Sequence, residues 1–363
     1  MSMSRRQPGV NCPRPVRRAL SLLAGALAVA WLLGEGGFVQ AEQTGAPNRH
    51  PVDPALEAYL PTVGLKGKLV VVGSDTMQPL LSKFHKGFSQ WYPDVTVSVE
   101  TEGSSAGFEQ FLEWSGTAHG NDRPMLLAYS HPLEPEELKE FIAKTGYAPL
   151  EIQVGLGAVC VYVHESNPLR ELTLEQVDAM FGATRKRGAS SDITRWGQLG
   201  LRGEWERKPI HLYGRDKQSG TRHLFMLRAL LNGEFKASVQ EKSGASPLIL
   251  AISDDPLGVG YAGIVFMQLT TVKIVALAEK GGKPYVRPTA DAVRQGIYPM
   301  SRKLFLYANK APSEELPQVV REFLKFANSQ DGQEMVAQSR FYPLSMSEVS
   351  RNLAMLAARP KSK

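Results

Sequence analysis

Short apolar strands alternate with amphipathic helical stretches through most of this chain, and this alternation restricts the fold more than any other feature. Residues 68–72 form a nearly continuous apolar run, as expected of a parallel strand covered on both faces. The next apolar residues share one helix face; they are Leu80, Leu81, Phe84, Phe88 and Trp91. Further strands are predicted at 95–99, 158–163, 210–213, 258–263 and 304–307, and further helices from Phe108 and over 314–328. The alternation predicts an α/β fold with largely parallel sheets.

The amino terminus has the pattern of an export signal. Five arginines precede an apolar run at 19–33, and Val39 and Ala41 supply the small residues that a signal peptidase accepts. The run is shorter than the roughly 20 residues that a membrane-spanning helix needs. We therefore expect a signal peptide at residues 1–41, cleaved after Ala41. An uncleaved membrane anchor is the alternative, and Arg17-Arg18 leaves twin-arginine export open.

Removal of this segment changes the charge and the cysteine count. The loss of five arginines and one glutamate lowers the formal net charge from +6 to +2, which gives no reason to expect nucleic-acid binding. Cys12 leaves with the signal, so Cys160 has no partner for an intrachain disulfide. The seven histidines lack the spacing of metal ligands, and no metal or cofactor is expected. The remaining length favours two domains.

Three segments share one local form, in which a strand is followed by glycine, serine or threonine and then by a helix. They are residues 73–77 (Gly-Ser-Asp-Thr-Met), 103–107 (Gly-Ser-Ser-Ala-Gly) and 215–221 (Arg-Asp-Lys-Gln-Ser-Gly-Thr). The first turn of a helix offers unpaired N–H groups and a partial positive charge, both of which favour an anion. Arg215 adds a planar fork of donors that suits a tetrahedral oxyanion. Any one segment could be an ordinary N-cap, but three of them with an arginine favour an anion site.

Residues 214–221 resemble the Arg-x-x-x-Ser-Gly-Thr anion loop of the phosphate-binding proteins that serve ABC-type phosphate transporters. Similar matches lie at 167–169, 172–177, 180–182, 196–200 and 258–261, and the resemblance extends from about Leu69 to Leu344. It implies the type II periplasmic solute-binding protein fold, in which two α/β lobes joined by two hinge crossings enclose a ligand cleft. It also implies a periplasmic protein, monomeric and not an enzyme, that delivers inorganic phosphate to a membrane permease.

The expected domain order follows from this resemblance and from the composition of the chain ends. The segments are the signal peptide (1–41), a flexible arm rich in proline and glycine (42–66), the first lobe (67–155), the second lobe (156–263), the return to the first lobe (264–346) and a tail (347–363). The residues implied to bind the anion are Thr76, Met77, Ser104, His131, Arg215, Ser219, Gly220 and Thr221. Hydroxyl groups, the backbone N–H groups of Met77 and Gly220, the charge of Arg215 and the imidazole of His131 form this set.

His131 departs from the family pattern, because many members carry an aspartate at this position. A neutral imidazole can accept a hydrogen bond from protonated phosphate, whereas a charged imidazole only attracts anions. Fully ionised sulfate has no hydrogen to donate. His131 could also be a solvated loop residue, and Asp75 and Glu102 are other candidate acceptors. The choice between phosphate and sulfate therefore stays open.

A hydrolase is the main alternative. Residues 103–107 satisfy the Gly-x-Ser-x-Gly pattern of a nucleophile elbow, with Ser105 as the nucleophile and Asp254 or Asp255 as the acid. The last histidine, His223, precedes both aspartates, which contradicts the order serine, acid, histidine of that fold. A third possibility is an adhesion protein that uses its lobes as a surface and gains no stability from any oxyanion.

Overall fold

The computed structural model describes residues 51–116, 124–267 and 269–358, all of which belong to one compact unit. The predicted signal peptide and the extreme carboxyl terminus lie outside the described residues. None of the helices within these three ranges has the length and hydropathy that a membrane span requires.

Strands and helices alternate along the described chain, as the sequence predicts. The strands are β1 (Gly67–Gly73), β2 (Val95–Glu100), β3 (Met125–Tyr129), β4 (Leu150–His164), β5 (Glu171–Thr173), β6 (His211–Arg215), β7 (Gln240–Lys242), β8 (Gly258–Gly263), β9 (Val272–Ile274), β10 (Ala276–Ala278) and β11 (Ser301–Ala308). The helices are α1 (Gln78–Trp91), α2 (Ser104–Ser115), α3 (Pro135–Thr145), α4 (Leu174–Phe181), α5 (Gly220–Ala229), α6 (Ala245–Ser253), α7 (Ala290–Arg294), α8 (Gln318–Ala327), α9 (Gln330–Gln338) and α10 (Met346–Ala357). The apolar face predicted for α1 is buried except for its last residue, Trp91, which is 44% exposed.

The main sheet has the order β2-β1-β3-β11-β4-β8-β6-β7, with β9 paired to β4. β1 is parallel to β2 and β3, and β6 is parallel to β7 and β8. β11 is antiparallel to both β3 and β4, and β4 is antiparallel to β8 and β9. The sheet is therefore mixed rather than largely parallel, because two strands of opposite direction join its halves.

β4 and β11 connect the two lobes. Residues 150–158 of β4 pair with β11, and residues 159–163 pair with β8. We define the first lobe by β1–β3, β11 and the first part of β4, and the second lobe by the rest of β4 with β6–β8. β9 pairs with β4 at residues 162–164 and β10 pairs with β5. Residues 272–278 thus pair with β4 and β5, and the chain next joins β3 and β4 as β11 from Ser301; the return to the first lobe at residue 264 stays a prediction.

Both ends of the described chain pack on the body of the protein, in contrast to the predicted arm and tail. Leu56, Tyr59 and Leu65 are buried in the core, and the Tyr59 hydroxyl donates to Glu322 Oε2 at 2.8 Å. Residues 346–357 form α10, whose Asn352 side chain donates to the carbonyl of Gln153 at 2.6 Å. The two segments are mostly polar, but a few side chains, such as Tyr59 and Asn352, attach them to the body of the protein.

Candidate anion-binding site

The first predicted segment forms a tight turn between β1 and α1. Residues 75–77 form a single 3-10 turn, and the side chains of Thr76 and Met77 are buried. The backbone N–H of Ser74 donates to the carbonyl of Ala128, which fastens the turn to β3. The backbone N–H of Met77, predicted to bind the anion, donates to the carbonyl of Ser74 at 3.0 Å. The turn thus presents the Thr76 hydroxyl but already uses the Met77 donor.

The second predicted segment starts helix α2. Gly103 is the N-cap with a φ of 122°, and a Cβ at this position would lie 2.8 Å from the carbonyl oxygen of Gln218. Only glycine allows both this backbone conformation and this close approach to the third segment. Ser104 follows with 1% exposure, and its Oγ has no hydrogen-bond partner among the described residues. Ser105, the nucleophile of the hydrolase alternative, is exposed.

The third predicted segment joins β6 to α5. Ser219 is the N-cap of α5, and its Oγ accepts a hydrogen bond from the N–H of Arg222 at 3.3 Å. Its hydroxyl hydrogen can still be donated, because a cap uses only an oxygen lone pair. The N–H groups of Gly220 and Thr221 belong to the first helical turn, which lacks intrahelical acceptors. A Cβ on Gly220 would lie 2.2 Å from Ser104 Oγ, so the second and third segments meet at this glycine.

Arg215 brings a buried positive charge to this point. Its side chain is 2% exposed, and its Nη2 lies 2.9 Å from Asp75 Oδ2. The ion pair joins the third segment to the first across the two lobes. Nε and Nη1 of Arg215 have no hydrogen-bond partner in residues 51–116, 124–267 and 269–358. Buried donors of a charged group are costly unless they are paired, so these atoms favour an anionic ligand.

His131 lies in the loop after β3 and is only 3% exposed, so it is not a solvated loop residue. Burial lowers the pKa of the imidazole to about 3, which leaves the ring neutral at physiological pH. Its Nδ1 lies 2.8 Å from the carbonyl oxygen of Pro132 and must donate to it. Nε2 is therefore the acceptor, and a Cβ on Gly220 would lie 2.9 Å from it.

The other candidate acceptors are less suitable. Glu102 is exposed. One carboxylate oxygen of Asp75 is paired with Arg215, while Oδ1 is buried without a hydrogen-bond partner among the described residues. The second oxygen of Asp75 therefore stays an alternative to His131.

Thr76 and Thr221 lie side by side at the site, and a further residue, Arg302, contacts Thr221 although no motif includes it. Thr76 Oγ1 and Thr221 Oγ1 lie 2.8 Å apart, and Arg302 Nη1 donates to Thr221 Oγ1 at 3.1 Å. Arg302 is the second residue of β11 and is 4% exposed. The sequence motifs do not include Arg302, because it lies at the start of an apolar strand and outside the glycine-rich segments. The only available signal is the basic pair Arg302-Lys303 directly before the apolar run 304–307.

The acidic residues proposed for a hydrolase lie elsewhere. Asp255 Oδ2 is 2.7 Å from His211 Nδ1 and accepts from the hydroxyl of Tyr213. His211 begins β6, whereas Arg215 ends it, so the His–Asp pair and the anion-binding candidates occupy opposite ends of this strand. The geometry gives donors for an anion but does not combine Ser105 with this pair.

Known proteins agree with the fold and the resemblance. Residues 41–331 match the family model described as the PBP superfamily domain. The chain is 38% identical over 307 residues to the phosphate-binding protein PstS of Pseudomonas aeruginosa, covering 85% of this chain and 92% of that protein. It is 26% identical over 270 residues to PstS of Staphylococcus saprophyticus, covering 74% and 77% of the two chains.

Solved structures share the fold at low sequence identity. An ABC-type phosphate transport receptor from Vibrio cholerae aligns with a TM-score of 0.58 and 20% identity, covering 76% of this chain and 100% of that chain. A phosphate-binding protein from Stenotrophomonas maltophilia aligns with a TM-score of 0.55 and 17% identity, covering 79% and 93%. The predicted type II solute-binding fold is confirmed. This chain belongs to the PBP superfamily and, within it, to the family of PstS phosphate-binding proteins.

Proposed function

We propose that this protein binds inorganic phosphate outside the cytoplasm and delivers it to the permease of an ABC-type uptake system. The main observation is the buried guanidinium of Arg215, which has two donor atoms without partners among the described residues. The unpartnered hydroxyl of Ser104 and the neutral ring of His131 meet at Gly220, near the end of the segment that Arg215 begins. Relatives named phosphate-binding proteins support a binding protein rather than an enzyme.

The proposed ligand set draws on both lobes. Thr76, Ser104 and His131 contribute from the first lobe. The second lobe contributes Arg215 with the N-terminal turn of α5, which includes Ser219, Gly220 and Thr221. The N–H of Met77 is a secondary candidate, because it would have to share its hydrogen with the carbonyl of Ser74. An anion held by this set contacts both lobes at once, so binding should favour the closed arrangement.

The tautomer of His131 provides a reason to prefer phosphate over sulfate. Its Nε2 can accept the hydrogen of a protonated phosphate, and sulfate offers no such hydrogen. Titration calorimetry with both anions on the wild type and on His131→Phe tests this role. We expect the wild type to prefer phosphate and the variant, which keeps a ring but no acceptor, to lose most of that preference. Equal affinity of the wild type for both anions would contradict it.

A thermal-shift panel of phosphate, arsenate, sulfate, molybdate and phosphomonoesters tests the function as a whole. A ligand at 100 times its dissociation constant should stabilise the fold by about 2.7 kcal/mol. A panel without any stabilising anion would leave only a surface role for the lobes. Steady release of product from phosphomonoesters, abolished by Ser105→Ala, would instead support the hydrolase.

Export and assembly complete the proposal. We propose that residues 1–41 are removed during export to the periplasm and that the mature protein is a monomer. Amino-terminal sequencing of the exported protein should begin at Glu42 or within a few residues of it. An intact membrane-embedded chain that starts at Met1 would contradict cleavage. Sedimentation equilibrium should give the mass of a single mature chain.

A further inference from the structure

Arg302 is a second buried guanidinium beside the proposed phosphate site. Its Nη1 donates to Thr221 Oγ1 at 3.1 Å, while Nε and Nη2 have no hydrogen-bond partner within the described ranges. Asp75 is the acidic residue whose charge acts on Arg302, but its carboxylate pairs with Arg215 instead. Arg302 therefore presents several donors of a charged group that the surrounding side chains do not satisfy.

The guanidinium of Arg302 lies against two glycines of nearby strands, where the two lobes meet. Arg302 stands opposite Gly157 of β4, and a Cβ at Gly157 would lie 3.6 Å from Arg302 Nε. A Cβ at Gly263 of β8 would lie 2.8 Å from Arg302 Nη2 and 3.2 Å from Thr76 Cγ2. The guanidinium thus fills the space that two glycines leave open, beside Thr76 of the first lobe and Thr221 of the second.

The charges around Arg302 do not balance without an anion. Burial, with a contribution from Arg215, lowers the pKa of Arg302 to about 10, so the group stays positive at neutral pH. Burial also raises the pKa of the Cys160 thiol to about 12 and that of Tyr162 well above its ordinary value, so neither supplies a negative charge. The two guanidinium groups and the carboxylate of Asp75 leave one positive charge. A buried charge of this kind is costly unless a counter-ion accompanies it.

We propose that Arg302 contacts the bound oxyanion directly, as a second guanidinium that reaches the cleft from the crossing strand β11. This inference rests on the proposed function, because it assumes that phosphate binds in this cleft. A purely structural Arg302 would only orient the hydroxyl of Thr221, which uses one of its donors. The unpaired Nε and Nη2 favour the ligand role instead.

Titration calorimetry with inorganic phosphate on wild type, Arg302→Met and Arg187→Met separates these roles. Arg187 is a matched control, because its side chain is 11% exposed and pairs with Glu279 while its Nε donates to the carbonyl of Ala229, at the far end of α5. We expect Arg302→Met to weaken phosphate binding roughly 10- to 100-fold, as the loss of charge-assisted hydrogen bonds predicts. Arg187→Met should stay within about threefold of the wild type.

The outcomes distinguish this inference from the function on which it rests. A wild type that binds no phosphate refutes the proposed function. A wild type that binds phosphate, with Arg302→Met within about threefold of it, refutes only the role of Arg302.

A second measurement avoids the risk that Arg302→Met fails to fold. In the 15N spectrum of wild-type arginine side chains, phosphate should shift the Nε–H resonances of both Arg215 and Arg302. A single shifted resonance, absent from Arg215→Met, would overturn the inference.

Discussion

Replacement of Arg215 by methionine should weaken phosphate binding more than any other single change in the three segments. The guanidinium is 2% exposed, so solvent screens its charge little. Its Nε and Nη1 have no hydrogen-bond partner among the described residues and can donate to an anion. Loss of a buried charge-assisted pair costs about 2–4 kcal/mol, which corresponds to roughly 30- to 1,000-fold in the dissociation constant. Methionine keeps much of the side-chain volume, which limits the cavity that the change creates.

Asp75 adds a second, separable part to this loss. In the wild type, Asp75 Oδ2 lies 2.9 Å from Nη2 of Arg215. Arg215→Met leaves this carboxylate without its partner, beside the bound anion. Two like charges about 4 Å apart repel by roughly 4 kcal/mol at an effective dielectric constant of about 20. This repulsion corresponds to roughly 1,000-fold in affinity, so the double variant Arg215→Met/Asp75→Asn, which removes it, should bind phosphate at least about tenfold more tightly than Arg215→Met alone.

Calorimetric titration of phosphate at neutral pH measures each of these changes, with circular dichroism to confirm that the variants fold. Lys217→Met is the matched control, because Lys217 lies in the same segment, carries the same charge and is exposed. It should stay within about threefold of the wild type, since exposed charges contribute little. Binding by Arg215→Met that is no weaker than binding by Lys217→Met would refute the assignment of Arg215 to the anion.

Three further variants test the remaining parts of the site and the fold. Ser104→Ala should weaken phosphate binding about fivefold to tenfold in the same titration, whereas the exposed neighbour Ser105 should tolerate alanine without loss. The pKa of His131 is about 3 in the folded protein and near 6.5 in an unfolded chain, so the protein should lose stability as the pH falls from 6.5 towards 3. Urea titrations at several pH values give the free energy of unfolding, which should fall less steeply with falling pH in His131→Asn than in the wild type. Equal pH dependence in the two proteins would exclude this role of the ring. Tyr59→Phe should lower the free energy of unfolding by about 1–2 kcal/mol, whereas the more exposed Tyr285 should tolerate phenylalanine within about 0.5 kcal/mol, and equal losses would contradict the docking of the arm.

Local patterns were sufficient to predict the elements that carry the three segments. Residues 69–72 are buried as their continuous apolar run predicts, and Ser219 caps α5 as its position before the helix predicts. These features depend on neighbours in sequence. The docking of Tyr59 depends instead on Glu322, which is 263 residues away, so the composition of the arm could not indicate it.

The position of Arg302 could not be predicted for the same physical reason. An apolar strand pattern gives the faces of β11 but not its partners, and β11 lies antiparallel between β3 and β4 through contacts distant in sequence. This placement brings Arg302 to the junction of the lobes, where Thr76 Oγ1 and Thr221 Oγ1 meet at 2.8 Å. We propose that a guanidinium on the crossing strand holds the anion without belonging to either loop, and that closure adds the two hydroxyls. In the proposed mechanism, the difference in affinity between the open and closed arrangements comes from those loops and drives closure.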